Sequence, residues 1–87
     1  MRHATPEALA ELEDLLTALR GIDGLVEKRP GAFSLGSRAF LHFHEDPTGN
    51  YADVRLGDDF ERFRVTTKRE QQALVSKVRA RLKRSAK

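Results

Sequence analysis

Apolar residues recur at helical spacing near both ends of the chain and alternate with polar ones between. Leu9, Leu12, Leu16 and Leu19 fall three or four residues apart, and Leu15 widens the stripe. Thr5 before Pro6 offers a side-chain cap and a first helical residue that needs no amide donor, and Glu7 follows in the first turn. Arg20-Gly21 reads as a last-turn cation followed by a left-handed glycine, so a helix is expected over residues 6–20. Toward the other end, Thr67-Lys68-Arg69-Glu70 matches a capping box. Leu74, Val75, Val78 and Leu82 form the stripe of a second helix, with Ser85-Ala86-Lys87 expected to fray.

Turn signals divide the middle of the chain: Arg29-Pro30-Gly31, Gly36-Ser37, Asp46-Pro47-Thr48-Gly49 and Gly57-Asp58-Asp59. Strands are expected at residues 25–28, 32–35, 38–45, 51–56 and 61–65. Connections this short exclude parallel crossovers, so the expectation is an α+β fold. An antiparallel meander of about five strands lies between the two helices, and both helices cover one face.

Register decides which residues share the other face. Leu41 and Phe43 oppose Phe40, His42 and His44 along one strand, and Ala52, Val54 and Leu56 oppose Tyr51, Asp53 and Arg55 along the next. Pairing Glu45 with Asn50 sets Phe43 against Ala52 and Leu41 against Val54 on the helix side. The open side then has His44 against Tyr51, His42 against Asp53 and Phe40 against Arg55. A three-residue bulged turn ending at Gly49 would mix the two faces and is rejected. Phe63 and Val65 then point inward, with Arg62 and Arg64 outward. The strand before Gly36 has two registers. A two-residue Gly36-Ser37 turn aligns Phe33 with Phe40 on the open face, whereas a longer loop buries Phe33.

Composition narrows the class without choosing a chemistry. Eighty-seven residues make one domain, 1–87. A chain of this size buries only ~60–65% of its unfolded surface. There is no cysteine, hence no disulfide, thiolate metal site or thiol nucleophile. No signal-peptide pattern is visible and no apolar run approaches the ~18 residues of a membrane span, so a cytoplasmic protein with no membrane partner is expected. The net charge of +3 is modest but unevenly placed. No acid follows Glu70, while Lys77, Arg79, Arg81, Lys83, Arg84 and Lys87 do. Helix electrostatics accounts for part of that asymmetry.

The open face is therefore expected to hold Phe40, His42, His44, Tyr51, Asp53, Arg55, Arg62 and Arg64 as candidate ligand-binding residues. Aromatic, histidine and arginine side chains are types enriched where surfaces recognise something. The first reading is a binding domain for an anionic small molecule or a protein partner, with Arg55, Arg62 and Arg64 attracting the anion and Phe40 and Tyr51 as apolar walls. A homodimer through this face or a sheet edge is expected. Nucleic-acid binding through the basic last helix and the arginines is an alternative. A second alternative is a small metal-binding or acid–base protein, because alternate strand residues His42 and His44 project side by side and Asp53 supplies a carboxylate. The plainer reading of those three is a cross-strand His42–Asp53 pair with His44 packed on Tyr51. No catalytic residue, metal ligand or cofactor is assigned on this basis, since no nucleophile and no glycine-rich phosphate loop is visible.

The run Gly36-Ser37-Arg38-Ala39-Phe40-Leu41-His42-Phe43-His44-Glu45-Asp46, followed by Tyr51-Ala52-Asp53-Val54-Arg55-Leu56, resembles the central pattern of the bacterial and fungal luciferase-like domain family. There a glycine–arginine turn leads to a His-x-His strand and then to an aspartate-bearing strand. The resemblance covers about twenty residues, and the family's later histidine-containing segment has no counterpart here. It implies that His42, His44 and Asp53 are the positions to mutate first. The helix–meander–helix order also resembles the frataxin architecture, at the level of fold alone.

Overall fold

Thr5 caps the first helix as its sequence position predicts: its Oγ1 accepts from the Ala8 amide at 3.2 Å, and Pro6 opens the helix. The computed structural model describes residues 2–85, the last two by backbone alone. Ahead of the cap, Arg2–His3 forms a two-residue strand, β1, too short for any periodicity to announce. The helix expected over residues 6–20 is two, α1 (Pro6–Glu11) and α2 (Glu13–Arg20), joined at Leu12. There the Leu12 amide donates to the Leu9 carbonyl at 3.0 Å, an i→i−3 closure that tightens the turn while Leu12 stays buried. α2 ends at Gly21, whose φ of −82° is right-handed. The left-handed glycine comes three residues later, at Gly24.

The sheet runs in the order β2 (Leu25–Arg29), β3 (Ala32–Leu35), β4 (Arg38–Asp46), β5 (Gly49–Val54), β6 (Glu61–Arg64), every neighbouring pair antiparallel. β1 pairs with the far end of β4, Arg2 opposite Glu45 and His3 opposite His44. It thereby continues the lane in which β3 begins, with Ala32 opposite His42. The last helix, α3 (Lys68–Ser85), starts with the expected capping box: the Glu70 amide donates to Thr67 Oγ1 at 3.1 Å and the Thr67 amide to Glu70 Oε1 at 2.9 Å. It continues through Ser85, and the fraying expected of 86 and 87 lies outside the described residues.

The β4–β5 register is the expected one, with Leu41 opposite Val54, His42 opposite Asp53, Phe43 opposite Ala52, His44 opposite Tyr51 and Glu45 opposite Asn50. The hairpin closes one pair further, at Asp46 and Gly49, so that Pro47 and Thr48 alone form the loop. One core joins both helical layers to one side of the sheet: Leu12, Leu15, Leu16 and Leu19 meet Phe33, Leu41, Phe43, Ala52, Val54 and Val65, with Leu74 and Val78 from α3. Both helices therefore cover the same face, as expected.

Phe40 is the correction. It is 2% exposed and belongs to the core, not to the open face. The turn before it is the two-residue one, Leu35 opposite Arg38, but the register then slips: Ser34 faces Ala39 and Phe33 faces Leu41. Phe40 is the extra residue of that bulge, and its carbonyl still accepts from the Arg55 amide at 2.8 Å. The bulge turns two consecutive residues, Phe40 and Leu41, toward the helices and buries Phe33 as well. Each such aromatic burial is worth ~1.5–3 kcal/mol, more than the ~1 kcal/mol net value of the ladder bond a bulge interrupts. The short turn and the buried Phe33, alternatives by simple alternation, coexist for this reason.

Candidate functional site

Alternation along β4 beyond the bulge keeps Leu41 and Phe43 in the core and sends His42 and His44 outward, while β5 places Asp53 opposite His42. Arg62 stands opposite Asp53 on β6. The four side chains meet. Asp53 Oδ1 accepts from Arg62 Nε at 2.7 Å and Oδ2 from Arg62 Nη2 at 2.9 Å, a two-pronged grip that fixes the carboxylate plane. Oδ2 also lies 3.0 Å from His44 Nε2 and 3.4 Å from His42 Nε2. Asp53 is only 8% exposed although it stands on the uncovered face, because these neighbours roof it.

The electrostatics follow from that packing. The hydrogen bond from Arg62 holds the Asp53 carboxyl below the usual carboxylate range, against the opposing effect of burial, so Asp53 is ionised at neutral pH. Burial, and then the neighbouring His44, hold the His42 imidazole below its ordinary range despite the pull of Asp53. His42 is accordingly an uncharged imidazole with a lone pair near neutral pH. His44 is the more enclosed of the two, its side chain 13% exposed against 29%. Its Nδ1 is buried without a hydrogen-bond partner among the described residues. One donor atom from each of His42, His44 and Asp53 can be chosen so that all three lie within 4.8 Å of one another.

Two neighbours were not anticipated. His3, delivered by β1, stacks on His44 with ring centroids 4.9 Å apart and lies 6.1 Å from His42. Phe60 meets the His42 ring edge-on at 5.1 Å and carries the Arg55 guanidinium 4.4 Å above its own ring. His3 precedes the first cap in a segment too short to show a period, and Phe60 follows a run of turn residues, so pattern alone assigns neither to a face. A concavity of about 370 Å³ opens on the β3 side of the cluster, with His3, Ala32, Ser34, Ala39 and His42 in its wall.

Of the other residues expected at the site, Arg55 stands at its margin, donating to the Ala39 and Asp58 carbonyls at 3.1 and 3.3 Å. Tyr51 and Arg64 form a separate group at the β4–β5 turn. The Tyr51 hydroxyl is hydrogen-bonded to Thr48 Oγ1 at 2.6 Å, and Arg64 donates to Glu70 and to the Thr48 carbonyl at 3.0 and 3.1 Å. His44 does not pack on Tyr51 in the way expected, since His3 and His42 are the rings it meets. The sheet thus collects His42, His44, Asp53 and Arg62, adds His3 and Phe60, sets Tyr51 and Arg64 apart and withdraws Phe40 into the core.

Chemically, the cluster offers two imidazoles and one carboxylate on rigid adjacent strands, backed by a guanidinium. This is a donor set suited to zinc and related divalent transition metals, and poorly suited to magnesium or calcium, which prefer all-oxygen shells. No helix among the described residues is long and apolar enough to cross a membrane. No protein-family model, curated protein or solved structure matches the chain, so the resemblance of its central strands to the luciferase-like family gains no support from relatives.

Proposed function

We propose that this chain is a binding domain that holds a divalent transition-metal ion on the uncovered face of its sheet, through His42, His44 and Asp53. The observation that carries the reading is the convergence of the three donor atoms within 4.8 Å on adjacent strands. Ligands of one tetrahedral zinc ion, each ~2.0–2.2 Å from the metal, lie about 3.3 Å from one another. The 3.0 and 3.4 Å separations of the histidine nitrogens from Asp53 Oδ2 are of that size, and the three donor atoms as a set lie within the wider 4.8 Å, so the histidines draw together on binding. The lowered pKa of His42 supplies a free lone pair, and that of Asp53 supplies the negative charge. Arg62 acts as the outer partner that orients the carboxylate. Its positive charge also opposes a cation, which favours a moderate over an extreme affinity.

A polar network that merely stabilises the sheet would account for the same distances. The two readings differ in what they predict for added zinc, and neither supplies a partner for the buried Nδ1 of His44. Recognition of an anion by the arginines is the second reading. It is weaker because Arg62 is paired with Asp53 and Arg64 with Glu70. Its support is the Arg55–Phe60 pair at the margin of the cluster, where Phe60 is one of the few exposed large apolar side chains. For a homodimer through this face, Phe60 is likewise the main apolar element, and the rest of the contact would be polar. For nucleic acid, several α3 cations are already engaged: Lys68 with Asp14, Lys77 over Phe63 and Arg81 on the Leu56 carbonyl.

The test is a zinc titration of metal-stripped protein followed by the imidazole chemical shifts. The His42 and His44 signals are expected to move and saturate at one equivalent, and Asp53→Asn is expected to weaken binding beyond the ~10–100-fold typical of outer-shell changes. Histidine signals that stay put at stoichiometric zinc would sink the proposal.

A further inference from the structure

The geometry points to a fourth ligand. We infer that His3, carried by the short strand β1, closes the metal site proposed above, giving a three-histidine, one-aspartate shell and making the attachment of β1 metal-dependent. The inference rests on that reading of His42, His44 and Asp53 and adds a residue from a different part of the chain.

Ring separations carry the argument. With metal–nitrogen bonds of ~2.0–2.1 Å, an imidazole centroid stands roughly 3.2 Å from its metal, and two imidazoles at a tetrahedral angle have centroids about 5 Å apart. In the structure His42 and His44 are 4.8 Å apart and His3 and His44 4.9 Å, with His3 and His42 at 6.1 Å. Two of the three separations match that value, and the wider His3–His42 one requires the His3 ring to move toward His42 on binding; all three backbone positions are fixed by the sheet. The register does this: His3 lies directly opposite His44, and the Ala4 amide donates to the Phe43 carbonyl at 3.2 Å, which anchors the strand just past the histidine.

Orientation is what His3 lacks. Its ring lies nearly flat against His44, tilted by 28°, so its nitrogens stand outside the three-atom cluster. As a ligand, His3 must leave this stacked placement and turn a ring nitrogen toward the common point. The residue is exposed, so the turn passes through solvent and gives up the stacking on His44. Among the described residues β1 is held by its two-residue ladder, the His3–His44 stacking, the Ala4 amide, the Arg2–Glu45 ion pair at 3.5 Å and the Thr5 amide on Glu45 Oε1 at 3.0 Å. A strand tied so lightly gains proportionately from a coordinate bond at its centre. Four protein ligands also change the kind of site. A zinc shell closed by protein groups serves structure or sensing, whereas a catalytic one keeps a position open for water.

The experiment compares wild type with His3→Ala, both untagged and metal-stripped. Zinc affinity is measured by competition with a chromogenic chelator, the cobalt(II) derivative by visible absorption, and the Ala4 amide by hydrogen exchange with and without zinc. The expected results are an affinity loss in His3→Ala beyond the ~10–100-fold typical of outer-shell changes, a cobalt spectrum that differs between wild type and variant, and zinc-induced slowing of Ala4 exchange. Wild type and variant with equal affinity, the same cobalt spectrum and unchanged Ala4 exchange would overturn the role of His3 and leave a three-ligand site. A wild type that binds neither metal would overturn the metal site itself, and the role of His3 with it.

Discussion

Phe40 shows how one residue can defeat an alternation argument. Read at period two, it stands beside His42 on the open face. In the structure a single inserted residue sends it inward beside Leu41. Nothing in the run Arg38-Ala39-Phe40-Leu41 marks the bulge, because the energy that produces it is the burial of Phe33 and Phe40 against helices far away in sequence. Past the bulge, alternation is reliable again, and His42, His44 and Asp53 stand where it puts them. Two substitutions separate the placements. Phe40→Ala is expected to destabilise the fold by ~3–5 kcal/mol, the cost of emptying an aromatic core position. Arg64→Ala is expected to leave the urea midpoint almost unchanged. Urea unfolding followed by circular dichroism checks both, and a Phe40→Ala variant as stable as wild type would return that side chain to the surface.

At the scale of elements, signals local to a few residues were legible. The Thr5 cap, the Thr67–Glu70 capping box and the β4–β5 register all stand in the structure as the sequence implies. Features that depend on tertiary contact were not. The break at Leu12 and the right-handed Gly21 are local bonding choices that no residue pattern marks, and the β1 ladder joins segments about forty residues apart. The tie between α2 and β2 is another such contact. Arg20 donates to Glu27 through Nε and Nη2 at 2.7 and 3.2 Å, and the Gly31 amide donates to the same carboxylate at 3.0 Å. Chiefly through Arg20, these contacts hold the Glu27 carboxyl below its ordinary range. A depressed folded-state pKa contributes stability that is present above the unfolded carboxylate pKa and is lost as pH falls through the folded value. Glu27→Gln should therefore cost stability at neutral pH and flatten the decline of the thermal midpoint on acidification. Parallel decline in wild type and variant would remove Glu27 from the acid response.

At the scale of the molecule, two helical layers on one face leave the other to chemistry, and the distribution of residues reflects that division. The covered face is aliphatic and aromatic, while the uncovered one gathers three histidines, an aspartate and an arginine across β1, β4, β5 and β6. From sequence, the location of this cluster was legible and its chemistry was not. The arginines looked available for an anion until their partners were seen, and His3 had no visible reason to be there. The measurement that tests the account most directly is anomalous diffraction at the zinc edge from crystals grown with one equivalent of zinc. The account predicts one dominant peak within ~2.0–2.2 Å of a nitrogen of His42, a nitrogen of His44 and an oxygen of Asp53. A map with no peak at that point, or with its only peaks elsewhere on the surface, would contradict it.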